Sequence, residues 1–490
     1  MKLRVTPLLL STAILLCGLA SCADSNAETT DTTAAASTSD TPVTDDKLIC
    51  DPGLPAADFG GEKFIFAMRG TDGDYNDITA EATDGDPLND AVYYRNEYIE
   101  MTYNIDIDHI WCGDGGGSPT GSEMYKMVSQ MVMSGDSNMD VILTTPYCQS
   151  GLALGGYLLD LTTVEHIDLS KPWWDQNVNS MLSFYDCVYF SVGDITTIDN
   201  RSTAVLAFNK DMLEQYDIDS PYDAVRNGTW TMDKMISHCK LVAGDINGDG
   251  TMDGSDRWGF SFWTDAGYSL MHATGSVVGQ INAKGEPEYC AMSEHFINSF
   301  NKIVELANKA YSFNVAVDNN PQGVSSFASG NSLYDWCLVY NIIDMRSSDI
   351  NFGIIPLPKL DEMQENYYSN TNAYSTALVS VPITVSDTDR AGLILEAYSA
   401  RGMQEITPVF NDIQVMTKSI RDEESAEMLE LIFANQMYDI GYFFRWGDTF
   451  SKVKGAFNER STNIVSVLES VAKQSAKDVQ SAIDAFTQES

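Results

Sequence analysis

The chain has 490 residues, 70 acidic against 29 basic, for a formal net charge of −41 at pH 7. Such a polyanion repels nucleic acid and anionic headgroups, which argues against nucleic-acid binding. Apolar residues make up 44% and aromatics 10%, ordinary for a packed globular body; past the N-terminal segment no apolar run reaches the roughly 20 residues of a spanning helix.

Lys2 and Arg4 precede an apolar stretch from Leu8 to Leu19, and Ala20-Ser21-Cys22 follows. A short positive region, an apolar core and small residues before a cleavage point are the layout of a secretory signal peptide, expected over 1–21. The Leu19-Ala20-Ser21-Cys22 ending resembles the lipobox of bacterial lipoproteins. That resemblance implies a lipid on Cys22 and a mature chain held at the extracellular face of the cell membrane. Residues 22–52 carry Thr, Ser, Ala and Asp with little that is apolar and read as a disordered linker.

What remains is long enough for two domains, or two lobes woven from one chain. Lys63 to Met68 is a short apolar run suited to a buried parallel strand. Asp86-Pro87 opens a helix through Ala91, Tyr94, Tyr98 and Ile99, and Asn104 to Trp111 is strand-like. A helix is expected over Ser122–Met133, a buried strand over Met139–Leu143, and Tyr157–Leu161 closes this unit. The rhythm resumes with strands at Val188–Val192 and Ala204–Asp211, helices around Thr231–Val242 and Glu294–Tyr311, and a strand at Phe352–Pro356. Helices fill Asp387–Ala400, Glu423–Gln436 and Val465–Phe486. Strands alternating with helices imply an α/β architecture. Lys171-Pro172-Trp173-Trp174 reads as a packing feature at a helix start.

Seven cysteines remain outside the leader and Cys22, without a CxxC pair, and the five histidines show no HExxH spacing. Neither a zinc ribbon nor a zinc-protease helix is present. Scattered half-buried thiols are expected, which in an exported protein suits a reducing habitat. Asp245 to Asp256 is different. It places oxygens at loop positions 1, 3, 5, 9 and 12 (Asp245, Asn247, Asp249, Asp253 and Asp256), glycine at position 6, and Thr251 at position 7 with its backbone carbonyl. That is the D-x-N-x-D-G pattern of a calcium loop, with a shorter Asp256 where glutamate usually closes the site. A structural Ca2+ is expected there.

Four stretches in order carry a family likeness: Met139-Asp140-Val141-Ile142-Leu143 with Gly155 to Leu161; Ala207-Phe208-Asn209-Lys210-Asp211 with Gly228-Thr229-Trp230-Thr231; Phe327-Ala328-Ser329-Gly330 through Phe352 to Pro358; and Val379–Pro382 with the helix from Asp387. Together they resemble the extracellular solute-binding lipoproteins of bacterial ABC importers, in the maltose-binding-like family 1. The chain departs from the family in having Arg226-Asn227-Gly228 where proline usually precedes Thr-Trp, and in lacking the usual tryptophan signature after Gly330. The resemblance implies a type II periplasmic-binding-protein-like fold with hinge strands crossing between two lobes. It assigns 53–200 and 326–383 to lobe 1, and 201–325 and 384–490 to lobe 2.

By family position the ligand-facing residues are Arg69 and Asp72 (with Asp74), Tyr147, Trp263, Asp265, Tyr268, Trp336, Tyr340, Asn372 (with Asn370) and Trp446 (with Arg445 and Asp448). Sugars offer an apolar face and a rim of hydroxyls, which aromatic platforms with a few carboxylates, amides or arginines suit. The implied activity is non-enzymatic: a monomer binds a mono- or oligosaccharide and presents it to an ABC permease. Two other readings stay open at this point. Abundant Asp and Glu allow a surface glycoside hydrolase, which needs two carboxyls in a set geometry; the calcium loop allows an adhesion or scaffold protein.

Overall fold

The computed structural model describes residues 51–71, 77–318, 327–345, 348–411 and 422–487. The leader, Cys22, most of the linker, Asp72 and Asp74 lie outside the described residues. Two sheets organise the chain. The first has β1 (Glu62–Met68), β2 (Ile105–Trp111) and β3 (Val141–Thr144). The apolar runs of β1 and β3 are those of strands covered on both faces, whereas β2, at the sheet edge, alternates apolar with polar side chains. β1 lies between β2 and β3, parallel to both, with Met68 opposite Trp111 on one side and Leu143 on the other.

Local signals fix the connecting helices. Asp86 accepts from the N–H groups of Leu88 and Asn89, Pro87 starts the Pro87–Tyr103 helix, and Asn104 ends it at φ 50°, a capped start and a left-handed stop. Ser122 caps Glu123–Met133 and Thr145 caps Pro146–Leu154. Arg95, fully buried, donates to Ile195 O at 2.6 Å and to Tyr398 Oη at 2.7 Å, which locks the Pro87–Tyr103 helix to the Thr388–Val409 helix over one face of the sheet.

The second sheet is built on β4 (Ala204–Asn209), buried throughout. With β5 (Trp258–Phe262) come a small hairpin of β6 (Gly279–Ile281) and β7 (Pro287–Tyr289), then β8 (Ser312–Asn314), β9 (Ser332–Leu338) and β10 (Phe352–Ile355). The sheet order is β10-β4-β9-β5-β8. β4 is antiparallel to both β9 and β10, while β5 is parallel to β8 and β9. Helices Met232–Val242, Glu294–Leu306 and Glu423–Ala434 pack around it, the last over β10.

The chain returns through β11 (Ser369–Asn370) to β12 (Leu378–Ser380), which joins the first sheet antiparallel to β3. After the Glu423–Ala434 helix, β13 (Gln436–Met437) lies parallel to β11. The pairing corrects two expected lobe limits. β9 and β10 belong with β4, so the 327–355 stretch sits in the second sheet rather than in lobe 1. The Thr388–Val409 helix covers the first sheet rather than lobe 2. Both limits were implied by the family resemblance; which sheet a distant strand or helix joins is set by the whole fold, which local pattern does not encode.

Three segments therefore lie side by side at the junction of the sheets. Thr203 pairs with Thr371, Asn372 N donates to Ser202 O at 2.9 Å, and Gln436 Nε2 donates to Thr203 Oγ1 at 2.7 Å. This is a two-lobe α/β binding-protein fold with its hinge at 200–204, 369–377 and 435–437.

Candidate ligand cleft at the lobe crossing

Parallel strands leave their carboxyl ends and following loops on one side, where α/β folds place ligands. Here the loops after β1, β2 and β3 face those after β5 and β9 across the hinge. A cavity of about 590 Å3 is lined on one wall by Met68, Arg69, Gly70, Asp114 and Leu143, and on the other by Ile198, Arg201, Ser202, Tyr340, Ser375 and Ala377. A second of about 490 Å3 is lined by Phe262, Trp263, Asp265, Asp335, Trp336, Tyr340, Asn341, Asn372, Tyr374 and Ser375, among others. Tyr340 and Ser375 line both, so these are two chambers of one cleft.

Three aromatic rings stand open around it: Trp263 is 52% exposed, and Tyr340 and Tyr374 are each 40% exposed. Trp336 is buried in the wall of the second chamber, and its Nε1 has no hydrogen-bond partner among the described residues. The Arg69 guanidinium donates to Tyr374 O and Ser375 O, both at 2.6 Å, tying the loop after β1 to the returning hinge segment. Asp265 accepts from Lys454 Nζ and, at 3.4 Å, from Asn372 Nδ2. Gly117, in the loop after β2, leaves room for Tyr374: a Cβ there would lie 2.4 Å from the ring.

Six of the residues expected at the ligand come together here: Arg69, Trp263, Asp265, Trp336, Tyr340 and Asn372. Three do not. Tyr147 lies wholly buried, its ring edge-on to Tyr374 and Tyr442 at 5.2 and 5.6 Å. Tyr268 is buried with its hydroxyl donating to Asp439 Oδ2 at 2.5 Å. Trp446 is buried against Gly279. All three are core aromatics around the C-terminal segment. Arg445 donates to Asp448 and to Gly117 O, and Asn370 is buried under the hinge. Sequence reasoning did not single out Asp114, Arg201, Asp335, Asn341 or Tyr374. The Gly115-Gly116-Gly117 run was the readable sign for Asp114, since a glycine-rich loop lets backbone come close.

The Asp245–Asp256 loop lies ahead of β5. Gly250, at φ 82°, makes the sharp turn and donates its N–H to Asp245 Oδ2 at 2.8 Å. Asp256, fully buried, accepts from Ile246 N at 3.0 Å and Asp253 N at 2.9 Å, so it closes the loop with both oxygens. Trp258 Nε1 donates to Asp253 O at 2.9 Å, fastening the loop to β5. Among the described residues, the trio of metal-ligating groups whose atoms lie within 4.8 Å of one another is Glu165, His166 and Asp389; the loop's carboxylates form no such trio. The donor set itself, all oxygen, suits a hard cation.

Trp173 and Trp174 are explained by Glu396, which accepts from both indoles at 3.0 and 2.8 Å. Six thiols (112, 148, 187, 239, 290 and 337) are free. No helix of the described residues is long and apolar enough to cross a membrane.

No protein-family model matches the chain, and no curated protein matches it. Solved structures do. A cyclic α-maltosyl-1,6-maltose binding protein from Arthrobacter globiformis superposes with a TM-score of 0.57 at 10% identity, over 86% of this chain and 100% of that one. A cyclo/maltodextrin-binding protein complexed with maltotetraose gives 0.55 at 14% identity, over 85% and 97%. A family 1 extracellular solute-binding protein from Bifidobacterium longum subsp. infantis gives 0.54 at 15% identity, over 85% and 100%. At these identities the likeness establishes the two-lobe fold expected from the sequence.

Proposed function

We propose that this protein is a solute receptor that closes on a carbohydrate in the interlobe cleft, performs no chemistry on it, and delivers it to an ABC transporter permease. The observation that carries this reading is the cleft itself. Its chambers fall in the size range of small-ligand sites, and open aromatic rings alternate with Arg, Asp and Asn around a hinge. Pyranose faces stack on Trp263, Tyr340 and Tyr374, and hydroxyls bond to Asn341, Asn372 and the carboxylates. Structural neighbours whose names state binding to maltose-type glucans support the ligand class. Closure needs only more ligand contact in the closed state than in the open one.

In the same proposal Cys22 carries the lipid that holds the receptor at the extracellular face of the membrane. A Ca2+ is held by Asp245, Asn247, Asp249, the Thr251 carbonyl, Asp253 and Asp256. It offsets repulsion among four carboxylates and stiffens the entry to β5.

The test is thermal unfolding against a panel of mono- and oligosaccharides, with recovery of the sugar afterwards. A ligand that binds the folded state alone adds about 2.7 kcal/mol of stability at a hundredfold excess over Kd. A rise with one sugar class, the sugar recovered unchanged, is expected. A consumed sugar would make the protein a hydrolase; no rise with any sugar would remove carbohydrate as the ligand.

A further inference from the structure

Among the described residues three carboxylates line the cleft, and they differ in what they have left to offer. Asp114 is exposed, and its Oδ1 accepts from Gly116 N at 3.0 Å. Asp265 is held by Lys454 and Asn372. Asp335 is half-buried on β9, opposite Ala207 of β4 and Ser261 of β5. The Ser261 hydroxyl donates to its Oδ1 at 2.5 Å, whereas Oδ2 takes no protein donor among the described residues. A carboxylate oxygen in a wall of this kind costs free energy until a donor meets it.

We propose that Asp335 is the specificity-determining acceptor of the second chamber: its Oδ2 takes a hydroxyl of a neutral sugar and turns away ligands that bring a carboxylate of their own. The proposal rests on the carbohydrate reading and deepens it. A sugar ring stacked near Trp263 presents hydroxyls at its edge, and one O–H donated to Oδ2 supplies what Ser261 cannot. A uronate in the same place sets two anions together in a poorly screened wall, where each destabilises the other.

The site's neighbours give the proposal a pH signature. Burial raises the Asp335 carboxyl to about 7, against the lowering by the Ser261 hydroxyl. The ionisable groups around it are the buried Cys337 on its own strand, Tyr340 and Tyr374 at the rim, and the Asp265–Lys454 pair, which satisfy each other. A ligand that prefers the carboxylate binds best above the free-state value, and binding is lost as pH falls through it. Below that midpoint affinity drops roughly tenfold per pH unit.

Calorimetric titration of the full-length chain with maltotetraose, cellotetraose and xylotetraose between pH 5 and 9 is the experiment, alongside a tetrasaccharide ending in glucuronate. For the neutral probe that binds, the wild type should show the acid loss, and the glucuronate analogue should bind at least about tenfold more weakly. Asp335→Asn should lose about tenfold in affinity at pH 8.5 and give a flat pH profile. Ser261→Ala removes the hydroxyl that stabilises the carboxylate, so its midpoint should move to higher pH while binding at pH 9 persists; this variant reads the same group if Asp335→Asn does not fold. Wild-type affinity and pH profile in Asp335→Asn, or an unmoved midpoint in Ser261→Ala, overturns the assignment and leaves the receptor reading standing. Failure of these probes and of every sugar in the unfolding panel to bind the wild type overturns both.

Discussion

Asp439 is wholly buried and accepts five hydrogen bonds: from the Tyr268 hydroxyl, His272 Nε2, and the backbone N–H groups of Val278, Gly279 and Tyr442. It is the point on which three segments of the second lobe converge. Asp439→Ala would strand several buried donors at once, so urea unfolding should show a loss of about 3 kcal/mol or more. Tyr268→Phe removes a single donor and should cost about 1 kcal/mol, while sugar binding is kept. That contrast also shows what a sequence hides. Tyr268, Tyr147 and Trp446 have the composition of a sugar platform, yet so does a packed core, because large rings with a polar tip serve both. Trp263 and Tyr340 look no different in one dimension; only their place at a rim separates them.

At the scale of elements, local chemistry was the readable part. Asp86-Pro87, the Ser122 cap and the apolar strand runs mark β1 to β4 and the helices Pro87–Tyr103 and Glu123–Met133 within a few residues. The Pro146–Leu154 helix was not read, and Val188–Val192, expected as a strand, makes only a bridge from Ser191 to Val379. β9 was hidden because Ser332–Leu338 carries Asp335 and Trp336 on a strand whose partners, β5 and β4, lie far back in the sequence. The Asp245–Asp256 loop was legible through its spacing, and its position directly ahead of β5 gives it a reporter. Trp258 bonds to Asp253 O and its ring stacks on Phe313 at 5.1 Å. Chelation should therefore lower the melting temperature and change the near-ultraviolet dichroism of Trp258 together. Asp249→Asn should lower calcium affinity with the apo melting temperature little changed.

For the whole molecule, the hinge carries a pH dependence of its own. Burial raises the carboxyls of Asp175 and Asp194, the second to about 7, and holds Asp199 well above the usual range. Asp175 accepts from Tyr438, which follows β13. An acid whose folded-state value exceeds its unfolded value favours the fold at low pH and loses that contribution as pH rises through the folded value. Melting temperature should thus fall between pH 5 and pH 8. Asp194→Asn, which keeps the shape and cannot ionise, should flatten that fall in scanning calorimetry.

Phe486, near the end of the Ile464–Thr487 helix, stacks on Phe184 of the first half of the chain at 4.1 Å and lies 5.0 Å from Tyr189. Contacts closed over that sequence distance form late, after the loop entropy between them has been overcome. A chain lacking Phe486 keeps, among the described residues, only the Phe444 ring, at 5.2 Å, beside the Phe184 ring, so removal of Phe486 should loosen the Phe184–Phe190 region first.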